Sequence, residues 1–430
     1  MRVLVTGATG LIGAAVVARL ISEGHEVTGI ARDIARAARS VPEVRWVALD
    51  IARTTSANAW LTHIRGVDAV VNCAGALQDA PGDSLQGVHL DGVAALFEAC
   101  ERIGVRRLVH ISAIGVDRET PSRFSETKLA GDEVLTRRDL DWVILRPSVV
   151  VGRAAYGGSA LFRGLAALPI LPVMPEMAGI QAVQLDDVIA TIAFFLHPDA
   201  PARLTLELAG PEPLSFAEIV GHDRRWLGWH QARLWSVPSW LAGSLYQLGD
   251  FAGRLGWRPP LRSTARREIA RGALGDPAEW TRVTGITPRS LGAALTAEPA
   301  SVQERWFSGL YFLKAVLLVV LSLFWIATGL ISIGPGYEAG VALMRDGGAG
   351  SLSAPSVIAG GLADIAIGLA IAFRRTCRLG LYAALAITIF YLIAGTALLP
   401  RLWIEPLGPL LKAIPIFVLH LVALATLEDR

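Results

Sequence analysis

The sequence predicts an α/β domain built on a doubly wound parallel sheet, followed by an all-α bundle of four membrane-spanning helices. Three observations carry that reading. Short apolar runs alternate with helical periodicity through residues 1–150. A glycine-rich turn, Gly7-Ala8-Thr9-Gly10-Leu11-Ile12-Gly13, joins the first apolar run to the first helical one. Charge then collapses after about Leu310: the chain holds 40 basic and 38 acidic side chains, of which only 8 and 6 fall between Gly309 and Arg430. A length of 430 residues exceeds one ordinary domain. The expected division is a sheet core over 1–150, the rest of that domain with a small irregular cap over 151–300, and a membrane domain over 301–430.

Taken in order, strands are expected at 2–6, 25–31, 45–50, 69–73, 108–112 and 142–146, with helices at 13–23, 89–103 and 124–137. Strands separated by helices cannot pair as hairpins, so the sheet is parallel and covered on both faces. Residues 151–300 are irregular and rich in Pro and Trp. Five of the twelve tryptophans fall between Trp226 and Trp257. Leu241, Leu245, Leu248, Ala252 and Leu255 recur at helical spacing. That stretch reads as a helix capping the sheet domain, with an interfacial membrane helix as the alternative. Apolar spans follow at about 315–333, 355–373, 379–399 and 410–427. The first three hold 19 to 21 residues, enough for the ~30 Å hydrocarbon core. Arg374, Arg375 and Arg378 crowd the short loop between the second and third spans, and positive-inside bias puts that loop in the cytoplasm. A multi-pass protein of the cell (inner) membrane, with its front domain and both termini cytoplasmic, is expected.

Composition excludes several classes. No basic face dominates, so nucleic acid is not an expected partner. Cys73, Cys100 and Cys377 form no CxxC, which argues against a disulfide scaffold or thiolate metal site. His25, His63, His110, His222 and His230 show no metal-ligand spacing, and no metal is expected. The N-terminal apolar run is broken by three glycines and reads as strand, turn and helix rather than as a signal peptide. Lysine is nearly absent: Lys128, Lys314 and Lys412 stand against 37 arginines. Lys128 is alone in the front part, where a compact ammonium can do what a planar guanidinium cannot.

A GxxGxxG turn between strand and helix allows close backbone approach and aims a helix N-terminus at a pyrophosphate. Gly7, Thr9, Gly10, Leu11, Ile12 and Gly13 are therefore expected to cradle a dinucleotide. The second strand ends at Arg32-Asp33. An acid there would hold the 2′-hydroxyl of NAD, whereas arginine accommodates the 2′-phosphate of NADP. Arg32 comes first, so NADP is the expected cofactor, with NAD the alternative.

These residues, with Asp50-Ile51 after the third strand, Asn72-Cys73-Ala74-Gly75 after the fourth, and Leu145-Arg146-Pro147-Ser148, resemble short-chain dehydrogenases/reductases of the extended or atypical type, a Rossmann fold. Ser112-Ala113-Ile114-Gly115, Gln184-Leu185-Asp186-Asp187-Val188 and 285–291 are similar to the atypical branch related to the NAD(P)H-binding accessory subunit of respiratory complex I. The resemblance implies that Asp50 contacts adenine, with Ile51 beside it, and that Ala74 and Gly75 lie under the nicotinamide half of the cofactor. The tail, including 403–409, resembles a DoxX-like membrane domain. The family's catalytic Tyr-x-x-x-Lys reads here as Phe124-Ser125-Glu126-Thr127-Lys128. The resemblance implies that Lys128 holds the nicotinamide ribose and that Ser112 hydrogen-bonds a substrate. Phe124 has no proton to give. Ser125 and Tyr156 are the candidate substitutes, although the sequence offers Ser125 no activating partner.

Asp364 sits in the middle of the second span and His420 in the middle of the fourth. An ionised aspartate at that depth costs ~2.5–3.5 kcal/mol on insertion scales. A hydrogen-bonded Asp364–His420 pair is the expected remedy, and with it a candidate proton relay; polar glue between helices is the alternative. The functional expectation is hydride transfer from NAD(P)H to a small or quinone-like, membrane-soluble acceptor. The alternative is a non-catalytic redox sensor or assembly factor for a membrane complex.

Overall fold

The computed structural model of the chain describes every residue except 80, 81, 83, 120, 176, 258, 260, 261, 407 and 428–430. Leu407 of the 403–409 run thus lies outside the described residues. The chain forms two compact units, 1–250 with 259–308, and 251–258 with 309–430.

In the first unit, β1 (Arg2–Thr6), β2 (Glu26–Ala31), β3 (Arg45–Ala48), β4 (Ala69–Asn72), β5 (Arg107–Ile111), β6 (Asp141–Pro147) and β7 (Leu204–Leu208) form one sheet. Its order is β7-β6-β5-β4-β1-β2-β3 and every pairing is parallel. The strand order reverses between β1 and β4, and at such a switch point the helices diverge and leave a crevice at the strands' carboxyl ends. The helices that matter here are α1 (Leu11–Ser22), α2 (Ala57–Ile64), α3 (Gly92–Ile103), α4 (Arg123–Thr136), α5 (Gly158–Ala166), α6 (Leu185–Leu196), α7 (Phe216–Trp226), α8 (Ser263–Arg271) and α9 (Leu291–Ala297). α1 and α6 bury Val16, Val17, Leu20, Val188, Ile192 and Phe195 on one face of the sheet. α2 and α3 bury Trp60, Ile64, Leu96 and Phe97 on the other. Two-sided burial explains why β1 and β4 read as unbroken apolar runs.

The six expected strands and three expected helices are present, with no end displaced by more than three residues. β7 was not expected. Leu204-Thr205-Leu206-Glu207-Leu208 alternates apolar and polar as an edge strand does, and it brings the sheet its last member from beyond residue 150. The leucine-spaced stretch is a helix over Ser239–Arg254. Leu241 and Leu245 pack with Met174, Met177 and Tyr246, while Trp240 and Leu248 stay exposed.

Among the described residues, the second unit holds four helices long and apolar enough to cross a membrane. They are α10 (Val302–Ile333), which begins before the unit, α11 (Ser353–Ala372), α12 (Cys377–Leu398) and α13 (Pro409–Thr426). A further helix, Tyr337–Asp346, fills the connection between the first two spans. Gly329, Gly361 and Gly368 sit where α10 and α11 meet. A Cβ on Gly329 would lie 2.3 Å from the Gly361 carbonyl oxygen. Small residues let backbones approach this closely, the packing that lipid-embedded helices favour.

Candidate nucleotide-binding site

The β1–α1 turn is built by backbone contact. Gly7 has φ +61°, and a Cβ there would lie 2.7 Å from the Cys73 carbonyl oxygen. A Cβ on Gly13 would lie 2.2 Å from the Gly7 carbonyl oxygen. Neither position can carry a side chain, and Gly10 caps α1 with no side chain of its own. The first turn of α1 contains no acid. Among the described residues no side chain caps its N–H groups, which suits them to a pyrophosphate. Thr9, Leu11 and Ile12 complete this turn.

At the far end of the crevice stands Arg32, one residue past β2. It donates to the carbonyl of Gly82, 3.1 Å away in the loop after β4. Asp33 does not reach across: its carboxylate accepts from the N–H of Ala35 at 3.1 Å and starts the helix Ala35–Ser40. Asp50 similarly caps a turn, accepting from Ala52 at 3.1 Å. Ile51 is buried, with its carbonyl against Gly92, where a Cβ would lie 2.0 Å away.

The centre of the site is Lys128. It is 5% exposed and donates to the Ile111 carbonyl at 2.8 Å. Gly131, one turn on, lies so close to the His89 carbonyl that a Cβ would fall 2.2 Å from it. That contact brings α4 against the 87–91 turn and sets Lys128 beside Gly75, whose Cβ position is 3.4 Å from the ammonium nitrogen and 3.7 Å from His89 Nε2. Burial pulls the Lys128 ammonium down to about 8, opposed by Asp132 and Cys73. His89 Nε2 accepts from the N–H of Ala76 at 3.1 Å, so Nδ1 carries the proton and donates to Thr127 Oγ1 at 2.9 Å. Burial, with the ammonium nearby, pushes this imidazole down to about 2, and it stays neutral. Phe124 meets its ring edge-on, centroids 5.5 Å apart. Ala74 is buried, its N–H directed to Asn72 Oδ1 at 3.3 Å.

Behind Lys128 runs a buried polar chain. Thr6 donates to Asn72 Oδ1 at 2.5 Å, and Asn72 Nδ2 donates to His110 Nδ1 at 2.8 Å. His110 Nε2 lies 3.4 Å from Asp132 Oδ1. Asp132 Oδ2 accepts from Ser112 Oγ at 2.9 Å and from two nitrogens of Arg146 at 3.1 and 3.0 Å. Burial would raise the Asp132 carboxyl, but His110 close by, the Arg146 charge and the Ser112 hydrogen bond hold it below its ordinary value. Ser112, 4% exposed, thus gives its proton to Asp132. Sequence reasoning missed Asn72, His89, Asp132 and Arg146 as site residues. Asp132 carried a signal, since it falls four residues after Lys128 on the same helix face.

Ser125 does have partners. Its hydroxyl donates to Glu268 Oε1 at 3.0 Å and receives Arg271, both on α8. It is wholly buried. Tyr156 is 42% exposed, on the segment before α5.

In the membrane unit, Asp364 and His420 are both buried but do not pair with one another. Tyr391 on α12 donates to Asp364 at 3.1 Å. Trp325 on α10 donates to His420 Nε2 at 2.8 Å, and His420 Nδ1 bonds the Ile416 carbonyl at 2.7 Å. Each group is satisfied by a nearer neighbour. Indole N–H can only donate, so His420 is held neutral with both ring nitrogens engaged.

The NAD(P)H-binding family profile matches residues 7–162 and a DoxX-like family profile residues 322–421. The 3-diazoavenalumate denitrifying reductase of a Streptomyces species is 30% identical over 308 residues, spanning 65% of this chain and 93% of that protein. The chain belongs to this NAD(P)H-binding, short-chain-dehydrogenase-like family. An uncharacterized protein of Mycobacterium tuberculosis is 29% identical over 220 residues, 51% of this chain and 23% of that protein. The 40 kDa subunit of NADH-ubiquinone oxidoreductase from Neurospora crassa is 27% identical over 220 residues, 50% of this chain and 57% of the subunit. The chain thus spans about a quarter of the mycobacterial relative and little over half of the fungal one. The solved UDP-glucuronic acid 4-epimerase of Bacillus cereus, in complex with UDP-glucuronic acid and NAD, shares the fold at a TM-score of 0.54 and 19% identity, covering 72% of this chain and all of that one.

Proposed function

We propose that the chain is a membrane-anchored NAD(P)H-dependent oxidoreductase that passes hydride to a small or membrane-soluble acceptor of the quinone type. The observation that carries this reading is Lys128: a buried ammonium fixed by the Ile111 carbonyl and packed directly against Gly75. The α1 N-terminus fits a pyrophosphate, and Lys128 and Gly75, in contact with one another, would meet the ribose and nicotinamide that follow it. A bound dinucleotide would supply a transferable hydride there. Lys128 would hold the ribose hydroxyls, Gly7 to Gly13 the phosphates, Asp50 and Ile51 the adenine.

NADP is favoured over NAD because Asp33 is committed to a local cap while Arg32 projects over the loop after β4. Phe124 excludes tyrosine-type protonation of the substrate. An acceptor that takes hydride first and gathers its proton from solvent has no need of that group. Ser125 can serve only if α8 moves, since Glu268 and Arg271 occupy its hydroxyl. One observation favours a second reading, a nucleotide-binding sensor or assembly factor: Ser112, the substrate-side hydroxyl, is turned into the Asp132 network. We further assign the front domain and both termini to the cytoplasm, on the arginines of the 374–378 loop. The test is oxidation of NADPH by the purified chain in detergent, across a panel of quinones and carbonyls. Turnover with quinones and none with carbonyls is expected. Tight NADPH binding without turnover on any acceptor would replace this reading by the second one.

A further inference from the structure

The Ser239–Arg254 helix is apolar on two sides, and the interior of the protein uses one of them. Leu241, Ala242, Leu245 and Tyr246 pack inward with Met174, Met177 and Val237. The outer side carries Trp240, Ser244, Gln247, Leu248, Phe251 and Arg254, all exposed. At about 3.6 residues per turn they share roughly one third of the circumference. Trp240 is 73% exposed, Leu248 63% and Phe251 57%. No acid lies on this side. Asp250, the one acid of the helix, accepts from Arg262 at 3.2 Å. The exposed apolar surface extends into the strand just before the helix, where Leu234 and Trp235 are exposed, and to Ile170 on the strand paired with it. Clustered apolar exposure of this kind marks a surface that meets something other than water.

The end of the helix says what that is. Residues 251–258 belong to the membrane unit. There the Trp257 indole N–H donates to the carbonyl of Ala372, the last residue of α11, at 2.7 Å. The Arg374 N–H donates to the Leu255 carbonyl at 3.0 Å, and the Arg374 guanidinium lies 5.5 Å from the centre of the Trp257 ring. The chain just past the helix is thus fixed at the end of a membrane span, beside the loop of Arg374, Arg375 and Arg378. Phe251 precedes Leu255 by one turn, about 6 Å along the helix. An apolar side that begins one turn from the end of a span lies at the level where headgroups meet acyl chains. Tryptophan rings and a long basic side chain are what that layer accommodates. A second copy of the chain would have to bring a matching face, whereas the bilayer is already at that level.

We propose that this helix lies in the surface of the phospholipid bilayer, with Trp240, Leu248 and Phe251 among the upper acyl chains and Arg254 at the phosphates. The inference depends neither on the cofactor nor on the acceptor assigned above.

The test uses the full chain in phospholipid nanodiscs. Ser244, at the centre of the outer side, is replaced by Cys and labelled with a bimane fluorophore. Asp199→Cys, at a 92% exposed side chain of the first unit, is the control. The unsubstituted chain treated in the same way gives the background from Cys73, which is not fully buried. Phospholipids bearing a nitroxide high on the acyl chain should quench the label at 244 several-fold more than the label at 199, and aqueous iodide should do the reverse. If Ser244→Cys does not label or fold, Leu248→Cys carries the same comparison. Equal quenching by the nitroxide lipids at the two positions would show that the helix stands clear of the bilayer. A label at 244 shielded from both quenchers would show that protein, a second copy included, covers this side. Either result overturns the proposal.

Discussion

Replacing Lys128 by Met separates cofactor binding from folding, because the two effects on stability oppose one another. The Met side chain keeps most of the stem's volume and loses the ammonium. The Ile111 carbonyl loses its 2.8 Å donor, which costs about 1–3 kcal/mol if it stays dry. Against this, the wild-type lysine is strained electrostatically. Burial lowers it from 10.5 to about 8, and at 1.36 kcal/mol per unit that is about 3 kcal/mol of destabilisation at neutral pH. The variant should therefore unfold within a few degrees of the wild type at pH 7. The sign with pH is fixed: a lysine whose folded-state value is depressed holds fewer protons folded than unfolded between about 8 and 10.5. Wild-type stability rises relative to Lys128→Met across that window. Cofactor binding has no such compensation. Charge-assisted hydrogen bonds to ribose hydroxyls are worth about 1.5–3 kcal/mol, so NADPH affinity should fall about 10- to 150-fold. Calorimetric titration in detergent measures this directly. A Kd within twofold of wild type, in a variant that is folded, would show that Lys128 does not touch the nucleotide.

Four further outcomes are expected. Arg32→Ala should remove most of the preference for NADPH over NADH, a loss of about 1.5–3 kcal/mol in NADPH binding; equal affinities in the unmodified protein would refute the 2′-phosphate assignment. Phe124→Tyr should leave NADPH affinity unchanged and introduce carbonyl reduction, read by NADPH oxidation with aldehydes; an unchanged acceptor panel would show that the site lacks more than a proton donor. Asp223, raised from 3.8 to about 7, makes the fold less stable as pH rises through that window, because the unfolded chain gives up its proton first. Asp223→Asn should gain on the wild type by a few kcal/mol between pH 4 and 8, and parallel melting curves across that range would rule out a buried unpaired acid. Asp364→Asn keeps the Tyr391 contact and removes the titratable group, so it should insert and fold normally while lowering quinone-dependent turnover; full turnover would end any relay role for Asp364.

The sheet was legible because burial on both faces writes itself into the sequence as apolar runs, and the glycine loop because only glycine fits where Gly7 and Gly13 meet neighbouring backbone. Lys128 stood out through the near absence of other lysines. β7 was not legible, since an edge strand with one covered side looks like any alternating segment. Neither was the polar chain from Thr6 to Arg146. Its members come from β1, β4, β5, α4 and β6, and sequence distances of 14 to 66 residues separate the bonded pairs. In the membrane, depth was readable from position within a span, but the azimuth of each helix was not. Asp364 and His420 fall inside α11 and α13 but do not pair as expected, because neighbouring Tyr391 and Trp325 present their donors first.

That polar chain also bears on how the crevice meets a ligand. It ties the carboxyl-terminal tips of β1, β4 and β5 to one another, and ties Ser112, just past β5, and Arg146 of β6 to the helix carrying Lys128. No tip can shift without breaking a buried hydrogen bond, and such a break costs about 1–3 kcal/mol. The receiving surface is consequently assembled before anything arrives. A nucleotide docking on it spends none of its binding free energy on ordering the shelf beneath it.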